Sequence, residues 1–310
     1  MKHILAAQQF TPTQLKQIFN KADEFRAKLA TNEGRRELLD LHKGSVAATL
    51  FYEPSTRTRL SFESAAQRLG MGLISTENAG EFSSAAKGEN IEDTIRTING
   101  YAEVIVLRHP EKGTADRAAS ASDVPIINGG DGSGEHPTQA LLDMYTFQKA
   151  KGHIKKPKVA FVGDQLHNRT QRSFIVLLAM FDVELFLVSP PELQLAQEHQ
   201  DLLKKQGIVF HKLTKWDDVL GELDALYINR IEKERFVSTK EYEAVKNSYC
   251  VTLETTKQMK KDAIIMAPLP RLSEIAYEVD NDPRAIYFEQ AKNGLYVRMA
   301  LIDQLLQSTA

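Results

Sequence analysis

The sequence predicts an α/β fold of two domains, each a parallel sheet flanked by helices. Three observations carry that prediction. Short apolar runs rich in β-formers alternate with helical patterns along most of the 310 residues, the pattern of parallel strands covered by helices on both faces. A polar break at Lys151-Gly152 and Lys155-Lys156-Pro157-Lys158 separates two such sets. Hydrophobic residues make up 42% of the chain and charged residues 26%, which suffices for a core in each set.

In chain order, Val46 to Phe51 reads as a buried strand and Leu60 to Leu69 as a helix. Val104 to Leu107 and Pro125 to Ile127 read as strands. Pro137 to Ala150 reads as a helix, with proline at the first position, where its missing N–H costs nothing. In the second set, Val159 to Val162, Leu185 to Val188, Ile208 to Phe210, Ala225 to Ile228 and Ile264 to Met266 read as strands. Helical stretches run from Thr170 to Phe181 and from Glu192 to Gln206. The last helix, Arg284 to Gln307, is long and amphipathic and is expected to pack back on the first domain. The expected domains are therefore 1–150, joined by 284–310, and 151–283.

The formal net charge of -2 offers nothing to draw the chain to nucleic acid or an anionic membrane. No run approaches the ~20 apolar residues of a membrane span, and the first ten residues do not read as a signal peptide. The single cysteine, Cys250, rules out an internal disulfide, fits a cytoplasmic location and reads as a buried thiol. The histidines lack metal-ligand spacing, so no metal and no cofactor is expected.

Ligands in such folds bind beyond the carboxyl ends of strands, often between domains. The strand ending at Phe51 is followed by Glu53-Pro54-Ser55-Thr56-Arg57-Thr58-Arg59 and then a helix. The first N–H groups of a helix are unpaired and aim ahead of it. With the helix dipole they form an anion site, to which hydroxyls add neutral donors and guanidinium a charged one. The bland alternative is a Ser/Thr cap with solvated arginines. Five such residues in a row favour a phosphate site.

Ser55-Thr56-Arg57-Thr58-Arg59 resembles the carbamoyl phosphate signature of the aspartate and ornithine carbamoyltransferases. Further segments agree in order: Leu107-Arg108-His109-Pro110, Gly129-Gly130-Asp131-Gly132, His136-Pro137-Thr138-Gln139, Gly163-Asp164 with Arg169-Thr170, Arg230, and Pro268-Leu269-Pro270-Arg271. The resemblance covers essentially the whole chain. Thr138 stands where the ornithine branch usually has Cys, and that branch's Ser-Met-Gly and His-Cys-Leu-Pro segments are missing. The Pro-Leu-Pro-Arg form is similar to the catalytic chains of the aspartate branch.

The resemblance implies transfer of a carbamoyl group from carbamoyl phosphate to the amine of L-aspartate, in pyrimidine biosynthesis. It implies that Ser55, Thr56, Arg57 and Thr58 cradle the phosphate and that Arg108 reaches both phosphate and carbonyl oxygen. His136 would donate to the carbonyl oxygen, and Gln139 would bond the carbamoyl amide. Ser83 and Lys87, read alone as parts of a flexible polar loop before the helix at Asn90, would reach a neighbouring subunit's site in a homotrimer with shared active sites. Arg169 and Arg230 would clamp the two carboxylates of aspartate. Leu269 would offer backbone carbonyls to its amine, with Leu269-Pro270 a candidate cis bond. Glu53 and Arg235 would bridge the domains in a closed state; read alone, they are surface charges. A regulatory chain or another enzyme of the pathway would be a further partner.

Three departures lie on the acceptor side. Glu232 stands where the aspartate branch usually has Gln, Ala267 where it usually has His, and Gln165-Leu166-His167-Asn168 is an unusual filling. Glu232 would also face the acceptor. Two other readings follow: a carbamoyltransferase with a different amino acceptor, or a non-catalytic paralogue acting as a scaffold, against which Lys87, His136 and Gln139 argue. A nucleotide-binding oxidoreductase is disfavoured, because Gly130-Asp131-Gly132-Ser133-Gly134 precedes His-Pro and is not a dinucleotide fingerprint.

Overall fold

The computed structural model describes residues 1–152, 154–231, 238–246 and 248–308. The chain divides into two compact units, Met1–Leu142 with Lys292–Ala310, and Asp143–Ala291.

The first unit opens with two helices, α1 (Pro12–Leu29) and α2 (Asn32–Leu41), capped by Thr11 and Thr31, whose hydroxyls accept from the Gln14 and Gly34 N–H groups. There follow β1 (Val46–Phe51), α3 (Thr56–Arg68), β2 (Gly72–Glu77), a short turn of helix α4 (Ala79–Phe82), α5 (Ile91–Ile98), β3 (Val104–His109), α6 (Thr114–Ser120) and β4 (Ile126–Asp131). Helix α7 (Pro137–Lys151) comes next. The sheet order is β2-β1-β3-β4 and every pair is parallel. One face is covered by α5 and α6, where Ala48, Leu50, Ile91, Ile95, Ile105 and Ala118 form a buried cluster. Residue Ile4 closes the β4 edge: its N–H donates to Ile126 O and its carbonyl accepts from Asn128 N, each at 2.8 Å.

The second unit carries β5 (Lys158–Val162), α8 (Arg169–Leu178), β6 (Glu184–Val188), α9 (Gln197–Lys205), β7 (Val209–Leu213), β8 (Ala225–Ile228), α10 (Thr239–Val245), α11 (Leu253–Gln258) and β9 (Ile264–Met266). Its sheet is also parallel, in the order β7-β6-β5-β8-β9. Central strands β5 and β8 are buried along nearly their whole length. Phe161, Phe174 and Tyr227 meet with ring centroids 5.3–5.5 Å apart, a spacing that favours tilted and edge-to-face contact. Helix α12 (Tyr287–Gln307) ends the chain, and its part from Lys292 onward belongs to the first unit. There Arg298 is buried, lies 4.9 Å from the Phe62 ring centroid and donates to Thr138 Oγ1 at 3.4 Å.

The expected strands are all present, while several boundaries move. Helix α3 starts at Thr56, not at Leu60, because its exposed first turn is polar and hides the apolar period. Strand β4 runs on past Ile127, through Gly129 and Gly130 to Asp131, so two glycines lie in the last part of a strand expected to end before them. The expected helix from Glu192 to Gln206 breaks: Gln194 and Ala196 are extended, which turns both Leu193 and Leu195 into the core. Strand β2 carries no apolar run because it lies at a sheet edge and stays largely exposed. Cys250 is only partly buried; burial still pushes its thiol pKa up. No helix among the described residues is long and apolar enough to cross a membrane.

Phe161 is fully buried in the aromatic cluster of the second unit. Phe161→Ala should destabilise that unit by about 3–5 kcal/mol, read as a lowered denaturant midpoint at unchanged slope.

Candidate functional site

In a parallel sheet all carboxyl ends lie at one edge. In the first unit this brings together the turn after β1, the end of β3 and the end of β4. Phe51 is in register with Arg108, and His109 with Asp131. The Tyr52 N–H donates to Arg108 O at 2.8 Å, extending the β1–β3 ladder one step toward the turn.

Ser55 takes the N-cap position of α3, yet its side chain makes no capping bond. The first bond of the helix runs from Arg59 N to Ser55 O, at 3.1 Å. The N–H groups of Thr56, Arg57 and Thr58 therefore precede the ladder and point out of the helix end, where the dipole favours an anion. Thr58 is buried and Arg57 is exposed as a whole residue. Desolvation around the Arg57 guanidinium lowers its pKa, but arginine starts so far above neutrality that it stays charged.

The second arginine of the turn has another task. Arg59 Nη1 lies 3.1 Å from Glu63 Oε1, and Nη2 lies 2.8 Å from Glu77 Oε2. Glu63 Oε1 also accepts from the hydroxyls of Thr49 and Ser75. Arg59 thus ties α3 to β1 and β2 and is committed to the fold, while Arg57 faces outward.

Arg108 is half-buried, with Nε 3.3 Å from Glu53 Oε2 and Nη1 donating to Gly129 O at 3.3 Å. Glu53, expected to bridge domains, is held here by Arg108. His136 is buried directly before α7, and its carbonyl accepts from Gln139 N at 3.0 Å and Ala140 N at 3.2 Å. Gln139 is half-buried one turn into that helix.

Asp131 builds the turn that delivers His136. Buried at the end of β4, it accepts from Gly113 N at 2.8 Å, Glu135 N at 2.7 Å and Asn128 Nδ2 at 3.1 Å. A side chain on Gly134 would put its Cβ 2.7 Å from either Asp131 carboxylate oxygen, so only glycine lets the backbone close over that carboxylate. Gly132 has φ +48° and a Cβ there would lie 2.2 Å from Pro110 O. The glycine run is a packing requirement around Asp131. Sequence reasoning missed Asp131, whose one signal was a carboxylate inside a glycine run. It also missed His109, which accepts from Glu111 N–H through Nδ1 at 3.0 Å and meets the Tyr52 ring in a tilted contact, centroids 4.8 Å apart. Burial lowers its pKa, keeping it a neutral prop of the turn after β1.

Ser83 caps the single 3-10 turn Ser84–Lys87, its hydroxyl donating to Ala79 O and accepting from Ala85 N at 3.2 Å. Lys87 is exposed and pairs with no carboxylate among the described residues.

In the second unit, Arg169 opens α8 at the end of β5, and Arg230 lies just past β8. Asn168 caps α8, its Oδ1 accepting from Gln171 N at 3.1 Å and the Thr170 hydroxyl at 2.6 Å. Fully buried Gln171 donates to Val162 O and Asn229 Oδ1, each at 2.8 Å. Asn229 in turn donates to Asp164 O at 3.1 Å. This chain of amides locks together the two strand ends that carry the arginines. The unusual segment folds tightly: His167 N and Nδ1 lie 2.9 and 3.1 Å from the two oxygens of buried Asp164. Leu269-Pro270 is cis, with Leu269 at φ +51°. Glu232 and Arg235 lie outside the described residues. No group of side chains that would hold a metal occurs among the described residues.

The family model described as "Aspartate/ornithine carbamoyltransferase, carbamoyl-P binding domain" matches residues 2–149, and that described as "Aspartate/ornithine carbamoyltransferase, Asp/Orn binding domain" matches residues 155–305. The chain is 49% identical over 308 residues to an aspartate carbamoyltransferase, chloroplastic, of Arabidopsis thaliana, covering 99% of this chain and 78% of that protein. Among solved structures it is similar to the catalytic subunit of Methanocaldococcus jannaschii aspartate transcarbamoylase, with TM-score 0.91, 45% identity and 99% of each chain covered. It is also similar to the aspartate transcarbamoylase of Trypanosoma cruzi in complex with carbamoyl phosphate and aspartate. There the TM-score is 0.92 and the identity 35%, over 98% of this chain and 96% of that one.

Asp131→Ala would leave three donors without their acceptor. At about 1 kcal/mol or more per stranded donor, the expected loss of stability is about 3 kcal/mol, measured by urea denaturation. Asp131→Asn, which keeps one carbonyl oxygen, should lose less.

Proposed function

The chain belongs to the aspartate/ornithine carbamoyltransferase family, and from that premise we propose how its residues carry out the reaction of the aspartate branch. The reaction is transfer of the carbamoyl group of carbamoyl phosphate to the amine of L-aspartate, giving N-carbamoyl-L-aspartate and phosphate, a step of pyrimidine biosynthesis. The observation that carries the proposal is the open end of α3, with free N–H groups, the uncommitted Ser55 hydroxyl and Arg57 directed outward.

The deprotonated amine attacks the carbonyl carbon, and the carbonyl π pair moves to oxygen. The tetrahedral oxyanion collapses, the bond between its carbon and the bridging oxygen breaks with the pair staying on that oxygen, and phosphate leaves, taking up the proton that the attacking amine loses. Three tasks follow: hold a dianion, stabilise the oxyanion, and aim the amine. Ser55, Thr56, Arg57 and Thr58 hold the phosphate. Arg108, kept in place by Glu53 and Gly129, reaches phosphate and carbonyl oxygen. His136 donates to the same oxygen and Gln139 bonds the carbamoyl amide. On the acceptor side, Arg169 and Arg230 pair with the two carboxylates, and the backbone at Leu269 and Pro270 receives the amine. Glu232, which stands where the aspartate branch usually has Gln, is assigned to setting the acceptor's affinity.

Ser83 and Lys87 act on a second subunit's site in a homotrimer. Exposed Lys87, with no carboxylate partner among the described residues, supports this. So does the open edge strand β2, flanked by exposed Leu39, Leu41 and Leu60 on α2 and α3 and Ile74 on the strand itself. An uncovered edge with apolar residues invites another chain. The protein works in the cytoplasm, needs no cofactor, and its trimer is the unit that a regulatory chain or another pathway enzyme would meet.

Purified protein incubated with carbamoyl phosphate and a panel of amino acids should release phosphate and form carbamoylated product with aspartate. Product with another amino acid alone would overturn the acceptor assignment. Arg57→Ala should lower turnover by about 100- to 1000-fold, the worth of one donor to a developing anion, with little change in stability.

Sharing of the site gives a second test. Mixing inactive Lys87→Ala subunits with inactive Arg57→Ala subunits should restore part of the activity, because one site can draw both groups from unaltered partners. Absence of complementation after confirmed subunit exchange would place Lys87 outside a shared site.

A further inference from the structure

The loop that follows β9 lies beyond the strand's own ties, the β8 ladder and the bridge from Ile265 to Ala285, and Leu269 packs against the core of the unit. Strand β9 is three residues long and lies at the sheet edge, paired with β8 only through Ala225↔Ile264, Leu226↔Ile265 and Tyr227↔Met266. Beyond Met266 the ladder stops, and Ala267 is the last buried residue before Leu269-Pro270. Its methyl group offers no polar anchor. Yet Leu269 sits at φ +51°, a conformation that a non-glycine residue keeps only when its surroundings impose it.

The surroundings are a chain of hydrogen bonds from outside the strand. Ala267 N–H donates to Gln290 Oε1 at 2.9 Å. Gln290 Nε2 donates to Asp143 Oδ1 at 2.6 Å. The other carboxylate oxygen of Asp143 accepts from the Tyr227 hydroxyl at 2.7 Å. All four residues are at most 2% exposed. Each side-chain role in the chain is forced. A backbone N–H only donates, so Gln290 must turn its oxygen toward Ala267 and its amide nitrogen toward Asp143. Burial and the neighbouring carboxylate push the Tyr227 pKa well above its ordinary value, which keeps the hydroxyl a donor.

Tyr227 lies in β8, the strand whose end leads to Arg230, and Ala267 lies at the end of β9, which leads to Leu269. We propose that Asp143, acting through Gln290 and Tyr227, is a positioning residue of the acceptor half: one buried carboxylate sets the height of the two strand ends that present Arg230 and Leu269 to the amino-acid substrate. The inference rests on the acceptor roles assigned to those two residues. Displacements of about 1 Å at a reacting group cost up to 100-fold in rate, so the loop needs such an anchor. Gln290, held by Asp143, supplies it.

Gln290→Met keeps the shape of the side chain and removes both of its polar roles. The KM for aspartate should rise about tenfold, while the KM for carbamoyl phosphate should change less than about twofold, since its ligands lie in the other unit. Asp143→Asn should remain close to the parent enzyme in both constants. Its carboxamide oxygen still accepts from Gln290, and the Tyr227 hydroxyl can turn to accept from the new N–H. Asp143→Leu should resemble Gln290→Met, and serves if that variant does not fold. A merely structural role would lower stability or the active fraction and leave the aspartate KM where it was. That outcome, or an equal rise in both KM values, overturns the proposal. Amide hydrogen exchange of a peptide spanning residues 264–271 gives a reading independent of substrate. Faster exchange at Ala267 in Gln290→Met, with no turnover of aspartate by the unaltered protein, would keep the anchor and reject only the acceptor assignment. Unchanged exchange there would reject the anchor itself.

Discussion

Parallel pairing is the constraint on which the candidate site depends. Residues far apart in sequence, at Ser55, Arg108 and Asp131, come to one edge because β1, β3 and β4 run in the same direction in a fixed register. A one-residue slip would turn every side chain to the opposite face. The register is held from both sides: Ile4 bonds across β4, and the Arg59–Glu63–Glu77 cluster ties β2 and β1 to α3. The donor half follows from this frame. A helix begins where a strand ends, its first N–H groups have no partner, and the next strand brings a guanidinium alongside.

The second unit applies the same rule with different chemistry. Its strand ends are tied by neutral amides, Gln171 to Asn229 and Gln290 to Ala267, and by the carboxylate of Asp143. These ties fix the strand ends that lead to Arg169 and Arg230, and the buried carboxylate of Asp164 holds His167 in the segment before Arg169.

The parts legible in the sequence were those with short-range signals. Strands β1, β8 and β9 coincide with their apolar runs, because buried parallel strands need no alternation. The Ser55–Arg59 run reads as an anion site through its residue types alone, and the structure places it at a strand-to-helix turn, as expected. Strand β2 was invisible, since an exposed edge has no apolar run to show. The two arginines of the turn could not be told apart either. What commits Arg59 to the fold is Glu77, a strand away, and no local pattern reports that partner. Asp143 was missed for the same reason, since its partners Tyr227 and Gln290 are brought near only by the fold, as is Gly113, one partner of Asp131. The glycines around Asp131 were legible as a run, but not the reason for Gly134, which lets the backbone close over a carboxylate.

The division of labour between Arg57 and Arg59 bears on how this segment can evolve. A run of five polar residues looks like a single selected unit, yet it answers to two different pressures. On the role proposed for it, Arg57 answers to an anion in front of it, and its loss would cost folding little. Arg59 answers to Glu63 and Glu77 behind it, and its loss would strand acceptors within a partly buried cluster. Across descendants of this sequence both positions would look equally invariant, one kept by chemistry and the other by architecture. A lineage that abandoned catalysis would release the first and retain the second, so the pair records whether a relative still does chemistry.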